Sequence, residues 1–235
     1  MMEEMIPERW AHFRTWDYHP SNQNPILLLS LSPLNECFVW GEVNVDPKKY
    51  TTELISEKII EASGDLKFKL NRIDPLAGVN QPNTSTTVIE DLNKLFRLFK
   101  KQGFGTGGRW EPYDTKYHAT KRGFLAGRDN IKHRLINAQK AGKPFNNLIL
   151  NERTGYKERL PTLWISEKCR VTLNSLYKWR MEDGKPSQMW SHHCTALEGI
   201  MKEKNFKPKL DHEEDSMERR RREYKNKSTT SYFKC

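Results

Sequence analysis

The sequence predicts an α/β domain in which a three-stranded antiparallel meander leads into strands joined by helical crossovers. Two observations carry that prediction. The opening segments are apolar or alternating runs separated by turn-rich residues. The later segments change to apolar spacing of helical period, with a further strand set between two of them.

The first three strands are Trp10–Trp16, which alternates bulky and polar residues, Ile26–Leu31, and the aromatic and β-branched Phe38–Val45. Their connections, Ser21–Pro25 and Ser32–Glu36, are turn-rich and short, so a meander is the simplest arrangement. Tyr50–Ala62 reads as a helix with Leu54, Ile55, Ile59 and Ile60 on one face, ended by Ser63-Gly64-Asp65. Phe68–Ile73 returns as a strand. Thr87–Lys101 is a second helix, with Val88, Leu92, Leu95, Phe96 and Phe99 at helical spacing. A Gly-rich run, Gly103–Gly108, follows and reads as a flexible loop able to swing at DNA; it lacks the Lys-Ser/Thr of a phosphate-binding loop. Asn130–Ala141 is predicted helical, Asn147–Leu150 a short strand, Ser166–Arg180 a helix with Val171, Leu173, Leu176 and Tyr177 inward, and Ser191–Lys204 the last helix. Residues 1–8 read as a leader or linker, 9–206 as the domain, and 207–235 as a charged, flexible tail in which acidic residues precede Arg219–Arg222.

Composition narrows the function. The chain has 235 residues, with 40 Lys and Arg against 30 Asp and Glu, a net charge of +10. That excess favours a polyanionic partner, nucleic acid first, although a solvated basic surface is the plainer reading. The longest apolar run, Ile26–Leu29, is far short of the ~20 residues that span a bilayer, and Glu3 and Glu4 stand where a signal peptide is basic. A soluble chain is expected. Cys37, Cys169, Cys194 and Cys235 lie far apart with no Cys-x-x-Cys pair, which argues against a disulfide framework and a thiolate zinc site and fits a reducing cytoplasm.

Two acids stand at strand ends. Asp17 closes the first strand in Trp16-Asp-Tyr-His-Pro20, and Asp74 closes the fourth in Arg72-Ile-Asp-Pro75. If those strands are parallel neighbours, the carboxylates emerge together, and their repulsion is relieved by a cation between them. Mg²⁺ and Mn²⁺ prefer such oxygen ligands, and two ions ~3.5–4 Å apart hydrolyse phosphodiesters. An Asp before Pro also serves as a plain turn acceptor. His192 and His193 open the last helix, with His192 on the face of Thr195 and Ala196; they are a third metal-ligand candidate or ordinary polar surface. Between the halves, Arg109, Trp110, Lys116, Tyr117, Lys121, Arg122, Arg128, Lys132 and Arg134 form a basic and aromatic stretch suited to a phosphate backbone, with Trp110 or Tyr117 against sugar or base. A solvated helix face explains Arg128–Arg134 nearly as well.

Several segments together resemble the C-terminal nuclease domain of phage terminase large subunits. Trp16-Asp-Tyr-His-Pro20 with the strands ending in Phe38-Val-Trp-Gly-Glu-Val43 resembles the family's opening strand and meander, and Arg72-Ile-Asp-Pro75 its second acidic strand. Gly127–Leu135, Trp164–Cys169 with Leu176-Tyr-Lys-Trp179, and His192–Leu197 are similar to the helices that follow. The likeness spans roughly Arg9 to Glu203. It implies a ribonuclease H-like mixed sheet flanked by helices, and an endonuclease cutting concatemeric double-stranded DNA during viral genome packaging with Mg²⁺ or Mn²⁺, two ions being expected. Asp17 and Asp74 match the family's first two ligands. His192 stands where the family usually has an Asp, and Thr195 replaces a second one. Arg109, Lys116, Lys121 and Arg122 are expected to hold DNA.

The resemblance also implies a packaging ATPase domain, a small terminase subunit and the capsid portal as partners, and the cytoplasm of an infected host cell as the location. No ATPase motif occurs in the chain, so an excised domain or a separately encoded motor is expected. Two rivals stand: a DNA-binding module of the same fold with a decayed site, which binds in a salt-sensitive way without cutting, and another ribonuclease H-like nuclease such as a junction resolvase, which prefers branched substrates.

Overall fold

The structure, a computed structural model, describes residues 6–80, 85–114, 121–136, 149–150, 157–158, 161–179, 181–182, 185–186 and 191–209. In chain order the elements are β1 (Ala11–Trp16), β2 (Asn24–Leu31), β3 (Cys37–Val45), α1 (Thr52–Ser63), β4 (Phe68–Ile73), α2 (Val88–Lys101), β5 (Trp110–Pro112), α3 (Lys121–Ile136), β6 (Ile149–Leu150), β7 (Lys157–Glu158), β8 (Leu163–Ile165), α4 (Arg170–Lys178), β9 (Met181–Glu182), β10 (Lys185–Pro186) and α5 (Ser191–Met201). A single-turn 3₁₀ helix, Pro75–Gly78, follows β4.

Six strands form one mixed sheet in the order β5-β4-β1-β2-β3-β8. The meander is antiparallel, with Trp16 opposite Ile26 and Leu28 opposite Gly41. β4 pairs parallel to β1 and β5 parallel to β4, while β8 runs parallel to β3. Side chains alternate across the central strands, so each face feeds its own core. On one face Phe13, Leu27, Leu29 and Leu31 pack against Ile131 of α3 and Ala196, Leu197 and Ile200 of α5. On the other, Trp16, Ile26, Ile73 and Trp110 pack against Ile55, Ile59 and Ile60 of α1 and Leu92 and Phe96 of α2. Three layers result: helices, sheet, helices.

The helix starts follow from their caps. Thr51 accepts a hydrogen bond from Leu54 N at the head of α1. Thr87 and Glu90 form a reciprocal capping box on α2. α4 has no side-chain cap of its own; Glu42 of β3 serves instead, accepting from Val171 N (3.0 Å), Thr172 N (2.9 Å) and Thr172 Oγ1 (2.7 Å).

Several sequence expectations need correction. The sheet contains two strands, β5 and β8, that the pattern did not reveal, because each has only three residues and β5 ends in a proline. The described part of the segment expected as the strand Asn147–Leu150 pairs with β7 in a two-stranded ribbon outside the main sheet. α3 begins nine residues before the expected Asn130, and residues 137–141 lie outside the described set. α4 turns a different face inward: Thr172 and Ser175 are buried, with Leu176 packed beside them, whereas Val171 and Leu173 are exposed and Tyr177 is 89% exposed. Small residues win there because the helix lies close against α5 and Glu42.

The Gly103–Gly108 loop is tied down. Buried Arg14 donates from Nη1 to Gly107 O (3.2 Å) and Asn71 Oδ1 (3.2 Å), and from Nε to Ser63 Oγ (2.9 Å), with its guanidinium 3.7 Å from the Phe68 ring centroid. Thr106 Oγ1 donates to Leu66 O (2.6 Å). At Gly105 (φ +69°) a Cβ would stand 2.5 Å from Ile60, so backbone freedom and close approach both require glycine.

Candidate active site at the strand ends

Because β1 and β4 are parallel and Trp16 lies opposite Ile73, Asp17 and Asp74 leave the same edge of the sheet side by side. Asp74 N donates to Trp16 O (2.9 Å), which extends the ladder one residue past both strands. Asp17 is buried and Asp74 half-buried. Their residue parity places both on the face covered by α5.

α5 brings His192 onto Asp17, with Nδ1 2.7 Å from Oδ2. His193 turns away: its Nε2 lies 2.8 Å from Asn44 Oδ1 and 4.0 Å from Glu42. Neighbours on a helix point about 100° apart, so only one of the two can face the carboxylates. Leu76 N donates to Asp74 Oδ1 (2.8 Å), so one oxygen of each carboxylate is engaged by a described residue. His19 adds a second imidazole, its ring 6.2 Å from that of His192.

Burial raises the pKa of both carboxyls. For Asp17 the His192 hydrogen bond and the charges of His192 and His19 pull it back down; for Asp74 the Leu76 amide and His19 lower it while the charge of Asp17 raises it. His192 is raised, chiefly by its bond to Asp17. His193 is pushed down to about 4 by burial, so it is a neutral core group.

Two adjacent carboxylates, each resisting ionisation and one repelling the other, are the chemistry that a hard ion relieves, so Asp17 and Asp74 fit it. Among the described residues, no three His, Cys, Asp or Glu side chains converge as a metal-binding group. His192 reaches Asp17 through a hydrogen bond, and its Nδ1 cannot serve that proton and a metal at once.

The basic stretch divides. Arg109 is exposed beside Glu111 (3.7 Å) at the sheet edge. Lys121 and Arg122 begin α3, but their side chains, like all of Lys116 and Tyr117, lie outside the described residues. Trp110 is fully buried between Trp16 and Phe96, so it packs in the core and not against DNA. Arg128 pairs with Glu198 (3.3 Å), and Arg134 is buried with its Nη1 on Asn35 O (2.7 Å); both join elements of the fold.

Sequence reasoning missed three groups near the carboxylates. Glu198 of α5 is buried and feels the charge of Asp17. His19 lies two residues after Asp17, where its identity alone carries no signal of the second imidazole beside His192. Tyr113 follows β5, a strand too short to find from period alone.

This mixed sheet, with a meander flanked by parallel strands and helices on both faces, has the α/β architecture that the sequence predicts. No known family profile and no curated relative matches the chain. Among solved structures, the large terminase of a thermophilic bacteriophage, in complex with ADP, superposes with TM-score 0.52 at 14% identity, over 86% of this chain and 42% of that one. The P22 large terminase nuclease domain gives TM-score 0.46 at 11% identity (83% and 82% covered), and the yeast mitochondrial Holliday junction resolvase Ydc2 gives 0.39 at 10% (82% and 79%). This chain therefore spans less than half the length of the thermophilic phage terminase, and what it shares with it at such identity is the fold. No described helix is long and apolar enough to cross a membrane.

Proposed function

We infer that the chain is a metal-dependent endonuclease that cuts double-stranded DNA, the nuclease part of a genome-packaging terminase. One observation carries this reading: Asp17 and Asp74 stand side by side at the ends of adjacent parallel strands, both disfavoured as free anions. The likeness of fold to a large terminase supports it.

Asp17 and Asp74 would hold the divalent ions, two by the resemblance, with His192 completing the site. Bound there, such ions supply an activated water and stabilise the leaving oxygen of a phosphodiester. The chain's own residues orient these ligands: His192 fixes one oxygen of Asp17, and the Leu76 amide fixes one of Asp74. Arg109, Lys116, Lys121 and Arg122 hold the DNA backbone. Imidazole suits Mn²⁺ better than Mg²⁺, so cutting is faster with Mn²⁺; equal rates in both ions, unchanged by His192→Ala, would refute that preference. An ATPase domain, a small terminase subunit and the portal, in the cytoplasm of an infected cell, complete the proposal.

The test is supercoiled plasmid incubated with the chain in Mg²⁺, Mn²⁺ or EDTA, beside Asp74→Ala. Metal-dependent nicking and linearisation that vanish in the variant are expected. A second reading, a DNA-binding module with a silenced site, draws on the absence, among the described residues, of a third ligand converging with Asp17 and Asp74. Intact plasmid in every lane with salt-sensitive binding retained would favour it.

A further inference from the structure

Tyr113 completes a row. Asp17 follows β1, Asp74 follows β4 and Tyr113 follows β5, with Trp16 opposite Ile73 and Ile73 opposite Pro112. Tyr113 N donates to Ile73 O (3.0 Å) as Asp74 N donates to Trp16 O (2.9 Å). The side chain is buried and reaches back across β4, placing its hydroxyl 2.5 Å from Thr15 Oγ1 and 3.4 Å from Trp16 O.

The direction of these bonds follows from proton counting. Thr15 has one hydroxyl proton and donates it to Ala196 O of α5 (2.8 Å), so the phenol is the donor toward Thr15. Burial raises the pKa of the phenol well above its ordinary value, so it stays a donor at neutral pH. The ring lies beneath α5 at Gly199, where a Cβ would stand 2.5 Å from Cζ and 2.9 Å from the hydroxyl. Glycine there lets the helix descend onto the ring.

Thr15 lies two residues before Asp17, and Ala196 lies one helical turn after His192. The bond from Thr15 to Ala196 therefore joins the two elements that carry the Asp17–His192 contact. We propose that Tyr113 is a positioning residue: its hydroxyl, through Thr15 and the Ala196 carbonyl, sets α5 on β1 and so seats His192 on Asp17. Its effect on cutting rests on the nuclease reading above; its effect on geometry does not.

The test is Tyr113→Phe in the full chain, which keeps the ring against Gly199 and removes only the hydroxyl. The imidazole ¹⁵N and ¹³C signals of His192 are expected to move while those of His133 on α3 stay fixed. The metal-dependent nicking rate falls about 10- to 100-fold, as displaced reacting groups do, with duplex DNA affinity changed by no more than about twofold. Thr15→Val breaks the same chain from its other member, and the double variant is no slower than the slower single, because the two hydroxyls act as one unit. Unchanged His192 signals in Tyr113→Phe overturn the proposal, as does an unchanged nicking rate in an active protein. If the parent chain never nicks plasmid, the nuclease reading fails and the His192 signals still decide the positioning role. Should Tyr113→Phe lose its far-ultraviolet circular dichroism, Thr15→Val carries both readouts.

Discussion

Replacing Gly127 by alanine tests how closely the helix that bears His192 is packed. A Cβ at Gly127 of α3 would stand 2.6 Å from Glu198 O and 2.9 Å from Glu198 Cα in α5, and 2.5 Å from Lys202 Cε. The lysine end swings aside, but the backbone of α5 cannot. Non-bonded carbon contacts settle near ~3.5 Å, so the two helices must part by roughly 0.6–0.9 Å. That opening stretches Asn130 Nδ2 to Met201 O (3.0 Å) and Arg128 Nε to Glu198 Oε1 (3.3 Å) past hydrogen-bonding range. Overpacking costs about 1–3 kcal/mol and the two bonds about 1 kcal/mol each, while alanine regains about 1 kcal/mol over glycine in a helix. The net loss is about 2–4 kcal/mol, which lowers Tm by roughly 4–16 °C for a chain of this size. Thermal and urea unfolding followed by circular dichroism measure it. Gly78→Ala, whose Cβ meets only Ile89 Cδ1 at 3.6 Å, is the control. A Tm for Gly127→Ala equal to or above that of the parent would refute the reasoning.

Two further predictions concern residues around α4 and α5. His193 is held neutral in the fold, at about 4 against the usual 6.5, so its contribution to stability is complete above pH 6.5 and lost as pH falls toward 4. The loss over that interval is about 3 kcal/mol, visible as a fall in the urea midpoint between pH 7 and pH 4.5. His193→Gln flattens this slope; the same slope in both proteins would exclude the assignment. Glu42→Gln removes the charge that caps α4, costing about 1–2 kcal/mol and speeding amide exchange at Val171 and Thr172, and unaltered exchange there would contradict the capping role.

Local patterns carried much of the fold. The meander, α1, β4 and α2 were legible because period-2 and period-3.6 spacing is written into consecutive residues. β5 and β8 were not, since three residues carry no period and their strand character comes only from β4 and β3 beside them. The exposed face of α4 was misread for a related reason: Val171 and Leu173 are apolar, yet what α5 and Glu42 leave room for is Thr172 and Ser175. Trp110 read as a DNA contact because a basic neighbourhood says nothing of burial, and its ring lies in the core.

The sequence by itself determined that Asp17 and Asp74 end strands, because each follows an alternating bulky and polar run and precedes a turn. Tertiary structure decided that those strands are parallel neighbours in register, that His192 and not His193 faces Asp17, and that Tyr113 lies beneath them. Strand pairing and helix docking join residues as distant in sequence as Thr15 and Ala196, 181 positions apart. No local spacing encodes contacts of that length; they follow from which apolar faces the whole chain buries together.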